Sequence, residues 1–500
     1  MISDSAIVDI LHRRETYRDW YTENRDPIWA DRLIWQAQAF RHMVHLLPGE
    51  PILELGAGKG SFSKTLAKIS KGRNPICSVR FSSEDKNDPI EGVEAVSIDA
   101  FPGPLAGRQF SYVVLQNILD QQVAGAVLAG IYNLLAPGGR VIFFESNPWN
   151  PVFIARNALL SWFRKPRPQW LINRTDLYEQ ISEIGFVRVS AQYTDFVYWP
   201  LTGRLCRVMR NASVLLENMP MVRALAGRIL VHAQKPPRDL KRPSISLATH
   251  ELLKNKVSVV VPCYNEEMNI PPLVAGLKAY YDDYIHQIIL VDDNSTDQTR
   301  AVIEQLAEKD HRITLIARTP PNGVGRAIRE GYAAATGAYV LSMDCDFQHL
   351  LPELEDMFDA IVDGSDAAVG SRFSRHSLLI NYPFGKILAN RGFHVLFSLI
   401  FRTARRDLTN NLKLMRSELA HAMVLKEPWF AVNAETGLQL ALMDCQLKEV
   451  PVSWVNRTFD MGQSTFRVLK AGGGYARVLW RLFCETRFGT NKIETPDLSG

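Results

Sequence analysis

The 500-residue sequence lacks the features of a secreted, membrane-spanning or nucleic-acid-binding protein. Its six cysteines form no Cys-x-x-Cys pair, a distribution typical of reduced cytosolic cysteines rather than of a disulfide or zinc framework. The formal net charge is only +4 and no basic arm is present, so charge does not indicate a nucleic-acid partner. No apolar run approaches the ~20 residues that cross a bilayer, and the N-terminus has no signal-peptide core. We expect a cytoplasmic protein that can still bind the inner membrane surface peripherally.

The length and the 46% hydrophobic content suffice for two or three domains with buried cores. We expect a helical extension over residues 1–48, an α/β domain over 49–235, a linker over 236–255 and a second α/β domain over 256–490. The linker prediction rests on its prolines, which forbid a continuous helix, and on its charges, which oppose burial.

Three short β-branched runs in the second domain each end in polar or acidic residues. They are Val257–Glu267, Ile288–Asp297 and Ala338–His349. Helix-like segments separate them, so the pattern predicts parallel strands with a ligand site at their carboxyl ends. Asp344 and Asp346 end one strand and can share a hard divalent cation, Mg²⁺ or Mn²⁺, which in turn holds substrate phosphates.

These motifs resemble those of the family 2 glycosyltransferases, most closely the dolichyl-phosphate mannose synthase-like branch, over about residues 256–469. Besides the three runs, the resemblance rests on Gly323-Val-Gly325, Gly370-Ser-Arg372, Asp407-Leu-Thr-Asn-Asn-Leu-Lys413, Glu449-Val-Pro-Val452, and Arg457 with Gly462-Gln-Ser464. Each motif is weak alone, but their shared order is strong evidence. The resemblance implies a GT-A mixed sheet. It also implies metal-dependent, inverting transfer from a nucleoside-diphosphate sugar to a polyprenyl phosphate or a glycan.

The same resemblance assigns roles to individual residues. It implies that Asp346 is catalytic and that the metal ligands are Asp344, Asp346 and Gln348. The implied nucleotide-sugar contacts are Pro262, Tyr264, Glu266, Asp292, Asp293, Gly323, Gly325, Asp344, Arg372 and Arg457. Arg372 and Lys413 fall near the acceptor. Asn294, Ser295 and Thr296 also suit a helix cap, and this role is compatible with nucleotide binding nearby.

Three features bear on the acceptor. Glu435 begins a helix and is either a general base for a hydroxyl acceptor or a capping and positioning acid. Residues 382–406 predict a helix with an apolar face and a cationic rim. Such a helix either lies in a membrane interface or is an ordinary buried helix with a basic end. Thr465 stands where the family has lysine, so that Arg457 or Lys470 would have to replace a phosphate-binding lysine.

In the first domain, Pro51–Gly60 predicts a strand followed by a glycine loop that opens a helix. Glycines at these positions let the backbone approach a ligand closely. The order of later strands resembles the class I S-adenosylmethionine-dependent methyltransferases over about residues 38–235, which implies a Rossmann-like sheet and that cofactor. By position, the cofactor contacts would be Glu54, Gly56, Gly58 and Gly60, with Asp99 at the adenine and Asn117 near the transferred methyl group.

One departure concerns the second strand, which lacks the acid that the family uses to bind the ribose hydroxyls. The first acids after this strand are Glu84 and Asp85. Either Glu84 reaches back, or the cofactor is held differently, or this half binds cofactor poorly and serves as a scaffold. We expect a bifunctional protein whose halves serve one glycan or glycolipid pathway. The alternatives are a transferase for a soluble saccharide with a degenerate methyltransferase half, and a non-catalytic scaffold.

Overall fold

The computed structural model describes residues 3–25, 28–81, 89–162, 172–197, 203–238, 242, 245–374, 376–380, 382–455, 468–488 and 495–498. The chain divides into two compact units, Met1–Pro243 and Ser244–Gly500, and this division falls within the predicted linker. Each unit contains a seven-stranded sheet with helices. The predicted mixed α/β architecture with two sheets is confirmed.

The first unit alternates strands and helices after two N-terminal helices. Its helices are α1 (Asp4–Arg25), α2 (Trp29–Val44), α3 (Ser61–Ile69), α4 (Ala124–Leu134), α5 (Pro151–Trp162), α6 (Arg174–Glu183) and α7 (Gly203–Glu217). Its strands are β1 (Ile52–Leu55), β2 (Ile76–Arg80), β3 (Val93–Ser97), β4 (Phe110–Gln116), β5 (Leu135–Ser146), β6 (Val187–Thr194) and β7 (Arg228–Gln234).

The first sheet has the order β3-β2-β1-β4-β5-β7-β6. Only β7 runs antiparallel to its neighbours; the other pairs are parallel. Strand β1 is buried along its whole length, as befits a central parallel strand. After β1 the chain forms β2 and then β3 on one side of β1, and it then crosses over to form β4 on the other side of β1. The carboxyl ends of β1 and β4 therefore border the crevice where open α/β sheets bind ligands.

The N-terminal helices are part of the first unit's core. Ile7, Val8 and Leu11 of α1 are buried in the same apolar cluster as β1 and β4. Within the predicted linker, Arg242 donates hydrogen bonds to Glu50 and to the Tyr112 hydroxyl. The linker is therefore packed against the first unit at this residue.

The second unit also alternates strands and helices. Its helices are α8 (Ile270–Tyr281), α9 (Thr299–Lys309), α10 (Val324–Ala334), α11 (Leu354–Val362), α12 (Phe384–Phe401), α13 (Ser417–Ala422), α14 (Val432–Leu442) and α15 (Val468–Phe488). Its strands are β8 (Val257–Cys263), β9 (Ile285–Asp292), β10 (Ile313–Ala317), β11 (Tyr339–Ser342), β12 (Ala367–Ser371), β13 (Leu378–Ile380), β14 (Lys413–Arg416), β15 (Leu447–Pro451) and β16 (Ser453–Val455).

The second sheet has the order β10-β9-β8-β11-β14-β12-β15, with β14 antiparallel to both neighbours. Strands β13 and β16 form a separate parallel pair. Strand β8 lies between β9 on one side and β11 on the other, so the strand order reverses at β8. The motifs that follow β8, β9 and β11 consequently leave the sheet at one edge, as the sequence predicts.

Candidate functional site

Two carboxylates just beyond β11 form the acidic centre of the second unit. Asp344 accepts a hydrogen bond from Asn411 Nδ2 at 2.7 Å. Burial raises the pKa of Asp344 to about 7, and the negative charges of Asp346 and Glu266 add to the effect. A divalent cation relieves this repulsion, and carboxylate oxygens are ligands that Mg²⁺ and Mn²⁺ prefer. The residues present therefore fit a metal ion.

The residues that the structure describes supply only some of the ligands that such an ion needs. Among the residues that the structure describes, no three His, Cys, Asp or Glu side chains come together as a metal cluster. The side chain of Gln348, the predicted third ligand, lies outside the described residues. Magnesium usually keeps waters and substrate phosphates as its remaining ligands, so two carboxylates suit an ion that carries a diphosphate.

The segment Asp407–Lys413 contacts the acidic centre through Asn411. Asn411 holds Asp344, as described above, and Lys413 Nζ donates to two backbone carbonyl oxygens. Lys413 is completely buried, and burial lowers its pKa to about 7. The structure thus places this predicted acceptor residue inside the fold rather than in the open crevice.

Arg372, the other predicted acceptor residue, is also engaged within the protein. Its Nε and Nη2 atoms donate to the two oxygens of Asp407 at 2.7 and 3.0 Å, and Nη2 also donates to the Thr409 hydroxyl. The rings of Tyr382 and Trp454 flank the guanidinium. Burial opposes ionisation of Asp407, yet the charge of Arg372 holds its pKa well below the usual range. This buried pair fixes the start of the Asp407–Lys413 segment.

Asp292 and Asp293 follow β9 and have different partners. Asp292 Oδ1 accepts from the Ser295 backbone N–H at 3.1 Å in a local turn. The predicted cap from Asn294, Ser295 and Thr296 is wrong, because α9 begins at Thr299 and its N-cap residue is Gln298, without a side-chain cap. Asp293 pairs with Arg318 and accepts from the Gly323 backbone N–H at 2.6 Å. Asp293 therefore connects the end of β9 to the glycine turn before α10.

Pro262, Tyr264 and Glu266 leave β8 at the same edge. Glu266 accepts from Asn269 Nδ2 at 2.5 Å, and its backbone N–H donates to the Thr299 hydroxyl. Tyr264 is 46% exposed, which leaves an aromatic ring open to the crevice edge. Of the predicted nucleotide contacts that the structure describes, Tyr264 is the most accessible large side chain.

The glycine turn packs tightly on another backbone segment. A Cβ atom at Gly323 would overlap the Pro428 carbonyl oxygen, and one at Gly325 would overlap that of Glu427. Gly325 N–H also donates to the Pro428 carbonyl at 3.0 Å. Glycine is required at both positions because no side chain fits between the two segments.

Glu435 holds residues 426–428, on which the glycine turn packs. Its two carboxylate oxygens accept from the backbone N–H groups of Lys426 and Glu427 at 2.8 and 3.0 Å, and it pairs with Arg481. The side chain is completely buried. This geometry is that of the capping and positioning acid, one of the two roles predicted for Glu435.

In the first unit, the glycine loop follows β1 at the crevice edge. Gly56, Gly58 and Gly60 all have positive φ, between 52° and 75°. Asn117 lies directly after β4, where its Oδ1 accepts from the Ser146 hydroxyl at 2.8 Å. The structure thus brings the loop and Asn117 to neighbouring strand ends.

Two other predicted cofactor contacts differ in burial, since Glu54 is buried and Asp99 is exposed. Glu54 points into the packing between β1 and α3, where the Ser63 hydroxyl donates to it and burial raises its pKa to about 7. Asp99 is exposed after the edge strand β3. Arg457 in the second unit, and Glu84 and Asp85 in the first, lie outside the described residues.

Sequence motifs missed several residues that organise the two crevices. Arg318 and Arg481 pair with predicted site acids but lie in no motif. Glu15, Arg18 and Asp19 of α1 contact the glycine loop of the first unit. Asn411 lies within a quoted motif, and only its contact with Asp344 reveals its role.

Comparison with known proteins agrees with the motifs of the second unit. Residues 258–422 match the model of glycosyl transferase family 2. The dolichol-phosphate mannosyltransferase of Pyrococcus furiosus is 29% identical over 182 residues, which are 36% of this chain and 51% of that protein. The polyprenol monophosphomannose synthase of Mycolicibacterium smegmatis is 29% identical over 226 residues, 41% of this chain and 79% of that protein. The chain thus spans about half the length of the first relative.

Solved structures align more distantly. Glucosyl-3-phosphoglycerate synthase of Mycobacterium tuberculosis covers 50% of this chain and 85% of its own, with 17% identity and a TM-score of 0.36. A possible histamine N-methyltransferase of Thermotoga maritima covers 46% of this chain and all of its own, with 14% identity and a TM-score of 0.31. Scores this low carry no functional argument. The match to residues 258–422 shows that the second unit contains a glycosyl transferase family 2 domain.

Proposed function

We propose that the second unit transfers a sugar, with inversion, from a nucleoside-diphosphate sugar to a polyprenyl phosphate at a membrane surface. The observation that carries this proposal is the pair Asp344 and Asp346 at the carboxyl edge of β8 and β11, inside a family 2 domain. The relatives named for dolichol-phosphate and polyprenol-phosphate mannose transfer support the lipid acceptor.

The reaction needs charge control more than proton transfer. A bound Mg²⁺ or Mn²⁺ would neutralise the charge that develops on the leaving diphosphate. Asp344 and Asp346 would hold that ion, and the Asn411 hydrogen bond fixes the orientation of Asp344. A phosphate acceptor is already anionic, so the protein has to orient it rather than deprotonate it.

Helix α12 supplies a surface suited to lipid. One face, which includes Ile387, His394 and Phe397, is buried in the protein. The other face is apolar as well, and its large residues Leu388, Val395, Leu396 and Leu399 are 48–74% exposed. Exposed Arg402 and Arg406 follow at its end, whereas Arg405 donates to a backbone carbonyl. An apolar face beside cations favours a membrane interface with anionic headgroups.

No helix in the described part of the chain is both long and apolar enough to span a bilayer.

The test of this function is transfer of labelled sugar to polyprenyl phosphate in anionic vesicles, using a panel of nucleoside-diphosphate sugars with Mn²⁺. We expect label in the lipid fraction with at least one donor. Replacing Leu396 and Leu399 by serine should lower transfer from vesicles, because the apolar contact with lipid is lost, and should leave metal-dependent donor hydrolysis unchanged.

A matched control replaces two exposed apolar residues elsewhere in the unit, Leu252 and Val424, by serine. This control should transfer normally. Sugar transfer to a soluble glycan, with none to lipid from any donor, would instead support the soluble-saccharide enzyme.

Glu435→Gln tests whether this acid acts as a base. We expect a loss of less than about tenfold with an unchanged pH profile, because glutamine keeps an acceptor oxygen for one of the two backbone N–H groups, whereas losing a base costs roughly 10²–10⁴-fold. Arg481→Ala should have a similar effect, since it loosens the same segment. A large loss for Glu435→Gln beside a normal Arg481→Ala would establish the general base.

For the first unit, we propose that it binds S-adenosylmethionine and methylates a saccharide or lipid acceptor of the same pathway. The supporting observation is the glycine loop at the carboxyl end of β1, where the strand order reverses, with Asn117 after the neighbouring β4. In this conformation the space beside Gly58 is filled by side chains of α1, so the loop as folded does not fit the cofactor.

A further inference from the structure

We propose that α1 is a lid that closes the glycine-loop crevice of the first unit, and that an adenosyl cofactor binds only when the C-terminal half of α1 moves away. This inference rests on the proposed function of that unit. It explains why the cofactor loop and a filled crevice occur together.

Glu15 occupies the backbone donors of the crevice. Its Oε1 accepts from the Gly58 N–H at 2.7 Å, and its Oε2 accepts from the Phe81 N–H at 3.2 Å, directly after β2. The carboxylate is buried. Glu15 therefore lies at the end of the second strand, where the sequence lacks an acid for the ribose. Its carboxylate accepts hydrogen bonds from the backbone N–H groups at that place.

Arg18 and Asp19 fill the space that glycine leaves open. Arg18 Nη1 donates to the Gly56 carbonyl at 2.5 Å and to the Gln116 carbonyl at 3.2 Å, which bridges the ends of β1 and β4. A Cβ atom at Gly58 would overlap Asp19 Oδ2 and lie close to the Arg18 guanidinium. The side of Gly58 that would face a ligand thus faces these two side chains.

The lid divides the crevice into two cavities. One has a volume of about 230 Å³ and is lined by residues that include Trp20 and Arg80. The other, of about 40 Å³, includes Asn117 in its lining. Asp19, Glu23 and Lys59 line both. Sites for organic ligands usually measure roughly 300–1,000 Å³, so neither cavity suits an extended cofactor until the space that Arg18 and Asp19 occupy is opened as well.

The two halves of α1 are held differently, which permits the motion. The N-terminal half is anchored by Ile7, Val8 and Leu11 in the apolar core. The C-terminal half is held mainly by polar contacts, which end in the half-exposed ion pair between Glu23 and Lys59. The exposed Glu23–Lys59 pair contributes little to stability, so opening of this half has to break chiefly the hydrogen bonds of Glu15 and Arg18, and it leaves Ile7, Val8 and Leu11 in the core.

The test measures binding of S-adenosylhomocysteine to the full chain by calorimetry. If the open state is populated at 1–10%, Arg18→Ala with Asp19→Ala should tighten binding by up to about 10–100-fold, because the closed state keeps the Glu15 contacts but loses those of Arg18 and Asp19. The matched control, Asp9→Ala with Arg13→Ala, removes the same two charges from the exposed face of α1 and should bind like the unmutated protein.

Equal or weaker binding by the Arg18/Asp19 variant would overturn the lid and make α1 a fixed part of the site. An absence of binding in all three proteins would overturn the lid and the cofactor assignment together. Hydrogen exchange gives a second readout on the unmutated chain. Saturating ligand should speed exchange of the amides in residues 12–23, and protection of those amides would contradict the lid.

Discussion

Asp346→Asn should nearly abolish sugar transfer while the protein stays folded. Asparagine preserves the size of the side chain but removes the charge that would hold the metal beside Asp344. Metal ions contribute several kcal/mol of charge stabilisation, so the loss should reach about 10³-fold or more. Excess chelator should reduce the unmutated enzyme to the same level, and Mn²⁺ or Mg²⁺ should restore it.

The control is Asp363→Asn, which changes an exposed aspartate of the same unit that pairs only loosely with Lys448, at 3.5 Å. It should transfer sugar normally. Melting temperature adds a readout independent of turnover. Mn²⁺ with a nucleoside diphosphate should raise that of the unmutated protein and of the control but not that of Asp346→Asn. Full transfer in excess chelator would refute the metal mechanism.

The edge of each sheet that bears the site was predictable from the sequence. Buried β-branched runs that end in Asp292 and Asp344 mark parallel strands, and parallel strands place their carboxyl ends together. Helices α9 and α10 lie where the sequence predicts them, between the same motifs. These features are local, so a short window of sequence contains them.

The side-chain network of the site was not predictable in the same way. Asp293 pairs with Arg318 and Glu435 with Arg481, and neither partner lies in a motif or follows a periodic pattern. The hydrogen bond that the Ser63 hydroxyl of α3 donates to Glu54 is a further contact that no motif reveals. Strand alternation decides which face a residue occupies, and a glycine motif does not reveal that choice.

The role of α1 was hidden for a different reason. Its buried stripe starts with Ile7, Val8 and Leu11 at helical spacing and continues with Arg14 and Glu15. A hydrophobic pattern assigns charged residues to solvent. Only the backbone donors of the glycine loop, which the fold brings to Glu15, explain why a carboxylate is buried there.

Asp407→Asn should destabilise the second unit by about 3–5 kcal/mol, because it leaves the buried guanidinium of Arg372 without its counter-charge. Thr409 and Tyr382 still accept hydrogen bonds from Arg372, but neither supplies a negative charge. The effect should appear as a lower urea midpoint for the transition that reports the second unit. Asp363→Asn serves again as the exposed control and should shift the midpoint little.

A double variant separates the net contribution of the ion pair to stability from the destabilisation caused by removing only one partner. Replacing Arg372 by Met and Asp407 by Leu removes both charges and keeps apolar volume in a site flanked by Tyr382 and Trp454. Because two buried ions lose their hydration, such a double variant should be less destabilised than Asp407→Asn. It should still lose transfer activity, since the Asp407–Lys413 segment that positions Asn411 against Asp344 is no longer held by Asp407. A double variant with normal transfer would show that the pair stabilises the fold without positioning the acidic centre.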